Sequence, residues 1–125
     1  MLVDDDSVNR QVMAGLLRDK GWRIREASNG REALRLLQDD LPDLILLDLI
    51  MPEMDGFAFL SEVRQSPVLC KLPVVVLTSK DLTESERHLL NINVDRIMQK
   101  DVYNLSELFS EVSRRLSVHS SSISP

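Results

Sequence analysis

The chain has 125 residues, of which 43% are hydrophobic and 28% charged, with a formal net charge of -5 and one cysteine. That length suits one domain with a core of its own, and the acidic balance without a basic stripe argues against nucleic acid as a direct partner. No apolar stretch is long enough to span a membrane or to form a secretory signal, and Cys70, alone in a loop before Pro73, excludes an internal disulfide and fits a reducing cytoplasm.

Taken in chain order, Met1-Leu2-Val3 forms a short first strand that ends on Asp4-Asp5-Asp6. Val8, Val12, Met13, Leu16 and Leu17 recur at helical spacing until Gly21 stops the helix. Residues 22–27, from Trp22 to Ala27, alternate imperfectly between apolar and charged, as an edge strand does. Gly30 opens a second helix that turns Ala33, Leu34, Leu37 and Leu41 inward before Pro42. Leu44-Ile45-Leu46-Leu47 has no polar face, so helices should cover both sides of this third strand, and Asp48 follows at its end. Asp55-Gly56 reads as a turn with an unusual backbone angle at the glycine, leading into a helix marked by Phe57, Leu60 and Val63 and closed by Ser66-Pro67. Val74 to Leu77 is a second interior strand, ending on Thr78. Thr83 and Glu86 form a capping box that starts a fourth helix. Val94 to Gln99 is a mixed edge strand followed by Lys100. Asn104, with Glu107 three residues on, caps a last helix whose inner face is Leu105, Leu108, Phe109, Val112 and Leu116. From Ser117 the composition turns serine-rich, so a domain over residues 1–117 and a frayed tail or linker stub over 118–125 are expected.

Strands alternating with helices predict an α/β fold: a flavodoxin-like, doubly wound sheet of five parallel strands in order 2-1-3-4-5, with five helices. Right-handed crossovers send every strand C-terminus to one end of such a sheet. Asp4, Asp5, Asp48, Thr78 and Lys100 therefore gather at one mouth. Carboxylates brought that close repel one another unless a cation compensates them, and an all-oxygen donor set points to Mg²⁺ or Mn²⁺ over Zn²⁺.

Asp48-x-x-Met51-Pro52-x-Met54-Asp55-Gly56, together with the acid triplet, Thr78-Ser79 and Lys100, resembles the receiver domain of two-component response regulators over nearly the whole chain. The resemblance implies that Asp48 accepts a phosphoryl group from the phosphohistidine of a sensor histidine kinase or histidine phosphotransfer protein. It implies Mg²⁺ held by Asp5, Asp48 and the Ile50 carbonyl, with Asp4 binding directly or through water. Lys100 would neutralise charge on the transferring oxygens, and Thr78 with Ser79 would engage a phosphoryl oxygen and draw the following loop inward. Such a domain is a cytoplasmic switch and no enzyme beyond its own phosphoryl transfer and slow autodephosphorylation. It passes its state to an output protein and contacts neither nucleic acid nor membrane; the face of helix four, strand five and helix five is where such domains often pair, and the sequence leaves open whether this one does. It stands alone or forms the C-terminal part of a hybrid sensor kinase.

Several positions depart from that pattern. Ile97 stands where the family has a switching aromatic, and Asp101 where a proline commonly follows the lysine. Ile50 and Lys80 flank the approach of water to Asp48 and lead us to expect slow dephosphorylation. Three residues before the acids are few for a central strand, which suggests a misassigned start or a chain cut from something longer. Two other readings compete. A haloacid-dehalogenase-type enzyme would need a second acid where Ile50 stands, and a phosphorylation-independent binding module would have no use for the intact Asp5, Asp48, Thr78 and Lys100. Asp6 reads as a helix cap, His88 as a solvated side chain, and Met51, Met54 and Met98 as packing.

Overall fold

A strand without a polar face is stable only when both of its faces are covered, and here two such strands set the architecture. A computed structural model describes residues 1–49, 56–78, 82–99 and 105–123. Its strands are β1 (Leu2–Val3), β2 (Glu26–Ala27), β3 (Ile45–Asp48), β4 (Val74–Thr78) and β5 (Arg96–Gln99). Its helices are α1 (Ser7–Asp19), α2 (Gly30–Asp39), α3 (Gly56–Gln65), α4 (Glu84–Asn93) and α5 (Leu105–Ile123). All pairings are parallel, in the order β2-β1-β3-β4-β5, as the sequence predicts.

The two-residue period of strands divides the core between the faces of the sheet. Val3, Ile45, Leu47, Val74 and Val76 point to one side and pack with Ala33, Leu37, Phe59, Leu60, Val63 and Leu90 from α2, α3 and α4. Leu2, Leu46, Val75, Leu77 and Met98 point to the other and meet Ala14, Leu17, Leu108 and Val112 from α1 and α5. Each fully buried Leu, Val or Phe contributes on the order of 1.5–3 kcal/mol, so β3 and β4, buried along their whole length, anchor the domain.

Local signals fix where the helices begin and end. The Asp6 carboxylate caps α1 by accepting from the amides of Val8 and Asn9, each at 3.1 Å. Gly21, with φ at 95°, takes the left-handed conformation just past the end of α1. Asn29 caps α2 through the Glu32 amide, and Thr83 with Glu86 forms the expected capping box at α4. Asn104 lies outside the described residues.

Four expectations are corrected. β2 pairs only at Glu26–Ala27 and not from Trp22, in parallel register with Leu2–Val3 of β1. The inner face of α1 is carried by Ala14 and Leu17; Val8 and Val12 are 68% and 59% exposed. Ala14 and Leu17, one turn apart, pack on the core, with Met13 partly buried beside them. Leu41 falls beyond the end of α2 and is exposed, whereas Phe59, absent from the predicted stripe of α3, is fully buried. Apart from these four, the helical backbone of α5 runs to Ile123, across the composition change at Ser117. Once a helix is nucleated, serine costs only a few tenths of a kcal/mol per residue, about 0.5 relative to alanine.

Charged groups fasten the elements. On α3, Arg64 donates to the carbonyls of Asn93 at 2.7 Å, Cys70 at 2.7 Å and Leu72 at 3.0 Å. On α5, the Glu111 side chain, only 2% exposed, accepts from Arg96, Arg114 and Arg115 at 2.8–3.0 Å. Burial pushes the Glu111 carboxyl up, but the hydrogen bonds from Arg114, Arg115 and Arg96 outweigh it and hold the group below its ordinary value. At the start of β1 the Met1 amine is buried and donates to the Leu44 carbonyl at 2.8 Å. Burial, reinforced by Arg25, lowers its pKa to about 5, with Asp43 opposing.

Candidate functional site

The strand ends create the site. β1 stops at Val3, which pairs with Leu47, so Asp4 is level with Asp48 one step further along. The Asp4 amide donates to the Ala27 carbonyl at 3.1 Å, and the chain then turns out of the sheet to start α1. One side-chain oxygen each from Asp4, Asp5 and Asp48 lies within 4.8 Å of the others. Asp4 and Asp48 are buried, at 7% and 9% exposure, and Asp5 is exposed. Acidic clusters are commonplace on surfaces; burial of two of the three distinguishes this one. Two buried carboxylates with an open third make an all-oxygen cradle of the kind a small hard dication occupies. The donor chemistry therefore fits Mg²⁺.

Thr78 closes β4 and is fully buried. Its neighbour Leu77 pairs with Asp48, so the hydroxyl residue stands one position beyond the acid on the adjacent strand. Thr78 pairs in turn with Gln99 at the end of β5. Ile97, which pairs with Val76, is half-buried and packs against the core with α2, α3 and α4. The structure thus brings Asp4, Asp5, Asp48 and Thr78 to one end of the sheet and sets Ile97 within it. Ile50, Ser79, Lys80, Lys100, Asp101 and the Met51 to Asp55 segment lie outside the described residues.

Gly56 serves the site for a reason different from the expected turn. The first residue of α3 lies against the end of β3, donating its amide to the Leu49 carbonyl at 2.8 Å. A Cβ at this position would stand 2.7 Å from the Leu49 Cα and 2.9 Å from the Asp48 carbonyl oxygen. Close approach of α3 to the residue that carries the central acid is what demands glycine here.

Sequence reasoning missed two residues at this end of the sheet. Arg10, on the first turns of α1, donates through Nη1 to the Asp4 carbonyl at 2.8 Å and through Nε to Glu26 at 3.2 Å. Glu26, on β2, also accepts from Arg18 at 3.2 Å. The only sequence signal for Arg10 is its place one helical turn after the Asp6 cap, where a long side chain folds back over the strand end.

A doubly wound parallel sheet with acids closing its first and third strands and a buried threonine closing its fourth defines a receiver-type domain. The chain belongs to the response regulator receiver domain family, whose pattern it matches over residues 1–113. It is 36% identical to the two-component response regulator ORR11 of Oryza sativa over 90% of this chain and 78% of that protein. It is 39% identical to the sensor histidine kinase CheAY of Helicobacter pylori over 70% of this chain, and spans only 11% of that kinase. Among solved structures, the signal receiver domain of a signal transduction histidine kinase from Syntrophus aciditrophicus superposes with a TM-score of 0.83 at 32% identity, covering 93% of this chain and 87% of that one. Receiver domains of this kind thus occur both in response regulators and in sensor kinases.

Proposed function

We propose that this domain is a phosphorylation switch whose acceptor is Asp48. The observation that carries the reading is the buried Asp48 carboxylate at the end of β3, within 4.8 Å of the carboxylates of Asp4 and Asp5. In the transfer, a carboxylate oxygen of Asp48 forms the new O–P bond as the P–N bond of a donor phosphohistidine breaks, and the imidazole nitrogen keeps the electron pair. A bound Mg²⁺ would supply positive charge to the transferring oxygens. Asp5 and Asp48, with the Ile50 carbonyl, are the groups that would hold it, and Asp4 would act directly or through water. Lys100 would pair with a phosphoryl oxygen, since preformed positive charge is where catalysis of this step chiefly lies.

Thr78 and Ser79 supply the switch: engagement of a phosphoryl oxygen by the Thr78 hydroxyl draws the loop after β4 toward the site and moves α4 with it. Ile97 has no ring to rotate and no hydroxyl to re-pair, so output runs through that loop more than through β5. A sensor histidine kinase or histidine phosphotransfer protein in the cytoplasm is the donor, and residues 1–117 form the domain. Readout passes to a partner protein or a second copy over α4, β5 and α5.

Intact-protein mass spectrometry after incubation with acetyl phosphate, with and without Mg²⁺, tests the reading. One metal-dependent phosphoryl adduct is expected, absent in Asp48→Asn. No adduct on folded parent protein, together with no beryllofluoride binding, would replace it with a phosphorylation-independent binding module.

A further inference from the structure

We infer that Arg10 is a positioning residue for the acid cluster, fixing the peptide between Asp4 and Asp5 so that both carboxylates meet a divalent cation at a set angle. The inference rests on the metal role proposed above for those acids. Its structural basis is a chain of contacts from β2 across to the end of β1. Arg18 holds Glu26, with Nη1 to Oε2 at 3.2 Å, and anchors its own fork on the Ile24 carbonyl at 2.7 Å. Glu26 holds the Nε of Arg10 at 3.2 Å, and Nη1 of Arg10 reaches the Asp4 carbonyl at 2.8 Å. The Arg10 and Glu26 side chains are only 14% and 24% exposed, so these contacts are poorly open to competing water.

The contacted carbonyl belongs to the peptide plane that leads into Asp5. Asp4 is fixed on its other side by its amide, bonded to the Ala27 carbonyl, and its side chain accepts from the Asp6 amide at 3.0 Å. With both peptide planes of Asp4 tied, the direction in which Asp5 leaves the backbone is set. Asp5 is the exposed member of the cluster and has most to gain from such guidance. A planar guanidinium suits the task because its donors are rigidly related, so one anchored nitrogen orients the next.

Helix formation does not require this side chain. The backbone amide of Arg10 already donates to the Asp6 carbonyl at 2.8 Å, and Asp6 caps the preceding amides. Nor is the effect chiefly one of charge. A bare guanidinium beside three acids would repel an incoming cation; Glu26, shared with the more exposed Arg18, offsets part of the charge of Arg10, so its main contribution is geometric. Mg²⁺ tolerates little departure from octahedral geometry, so a loosened Asp4–Asp5 peptide is felt directly in affinity.

The test measures Mn²⁺ binding by electron paramagnetic resonance, with Mg²⁺ competition, on the 125-residue chain and its variants, each shown to be folded by circular dichroism. Outer groups that orient metal ligands typically change affinity by about 10–100-fold, so Arg10→Ala is expected to weaken binding about tenfold or more. Arg10→Lys, which keeps the charge but not the fork, should remain weakened. Glu26→Ala should weaken it too, and adding Glu26→Ala to Arg10→Ala should cost little more, since the two act in series. Acetyl phosphate labelling of Arg10→Ala at saturating Mg²⁺ should return close to the parent level, because Asp48 is untouched. Parent-like affinity in Arg10→Ala, or full rescue by lysine, would overturn the inference while leaving the phosphoacceptor reading intact. If Arg10→Ala does not fold, Arg10→Lys and Glu26→Ala decide by the same criteria. A folded parent that binds neither cation nor phosphoryl group would instead overturn that reading, and this inference with it.

Discussion

Replacing Gly56 with alanine sets a small stability change against a large local one. The new Cβ would stand 2.7 Å from the Leu49 Cα and 2.9 Å from the Asp48 carbonyl oxygen, well inside the 3.4 Å at which ordinary contact begins. Both atoms are backbone, so no rotamer change relieves the clash and α3 must back away from β3 by several tenths of an ångström. Overpacking of this kind costs about 1–3 kcal/mol, and stretching the hydrogen bond from the Gly56 amide to the Leu49 carbonyl adds up to about 1 kcal/mol. Relief of the glycine entropy cost returns only about 0.5–1 kcal/mol, so a net loss of about 1–3 kcal/mol is expected. Gly15 is the internal control: it lies within α1 and a Cβ there meets nothing within 4 Å, so Gly15→Ala should stabilise by about 0.5–1 kcal/mol. Urea unfolding of the two variants should therefore show midpoints moving in opposite directions. Because the displaced atoms include the Asp48 carbonyl, Gly56→Ala should also slow acetyl phosphate labelling, and Gly15→Ala should leave it unchanged. A Gly56→Ala protein as stable and as readily labelled as the parent would refute the close-approach argument.

Glu111→Gln should cost about 1–3 kcal/mol by urea unfolding, below the full penalty for breaking a buried ion pair because Arg96 and Arg114 are largely solvated. Since folding lowers the Glu111 pKa, its contribution is complete above the ordinary value of 4.5 and disappears as pH falls through the lowered one; an acid-unfolding profile unchanged by Glu111→Gln would contradict this. The Met1 amine gives a dependence of the same sign at higher pH, because its pKa is also lowered on folding. Its pKa falls from 8.0 to about 5 on folding, so stability should rise between those values, by up to about 4 kcal/mol. An N-acetylated chain should lose that slope in a pH series of urea midpoints, and equal slopes would dispose of the idea. Asp48 labelled with acetyl phosphate should dephosphorylate slowly, and Ile50→Asn faster, when adduct decay is followed by mass spectrometry; a variant no faster than the parent would count against a role for Ile50 in excluding water.

Much of the architecture was legible because it rests on runs that allow one interpretation. Ile45 to Leu47 and Val74 to Leu77 lack a polar face, which forces an interior position, and the polar residues Asp48 and Thr78 that end them fall at one edge by topology alone. What stayed hidden depends on neighbours distant in sequence. The paired part of β2 depends on its register with β1, and no pattern within residues 22–27 records that. Which stripe of α1 faces inward is settled only by packing against the sheet, which buries Ala14 and Leu17, while the sequence favours the longer valine stripe. The sequence does not single out Phe59 beside Phe57, since in a helix this rich in apolar residues periodicity alone does not select the buried stripe. Arg10 and Glu26 meet only after β1 and β2 pair, so each alone is an ordinary charged residue.

The three carbonyls gathered by Arg64 bear on where the chain can be cut. Residues 66–72, with the exposed Val68, look like a natural point of entry for a protease. Yet Arg64, just before that segment, grips the carbonyls of Cys70 and Leu72 toward its far end and of Asn93 beyond it. A nick at Val68 would leave this grip intact, along with the pairing of β3 to β4. The two fragments should remain associated as a non-covalent complex, so cleavage here would be seen in a denaturing gel well before any loss of fold.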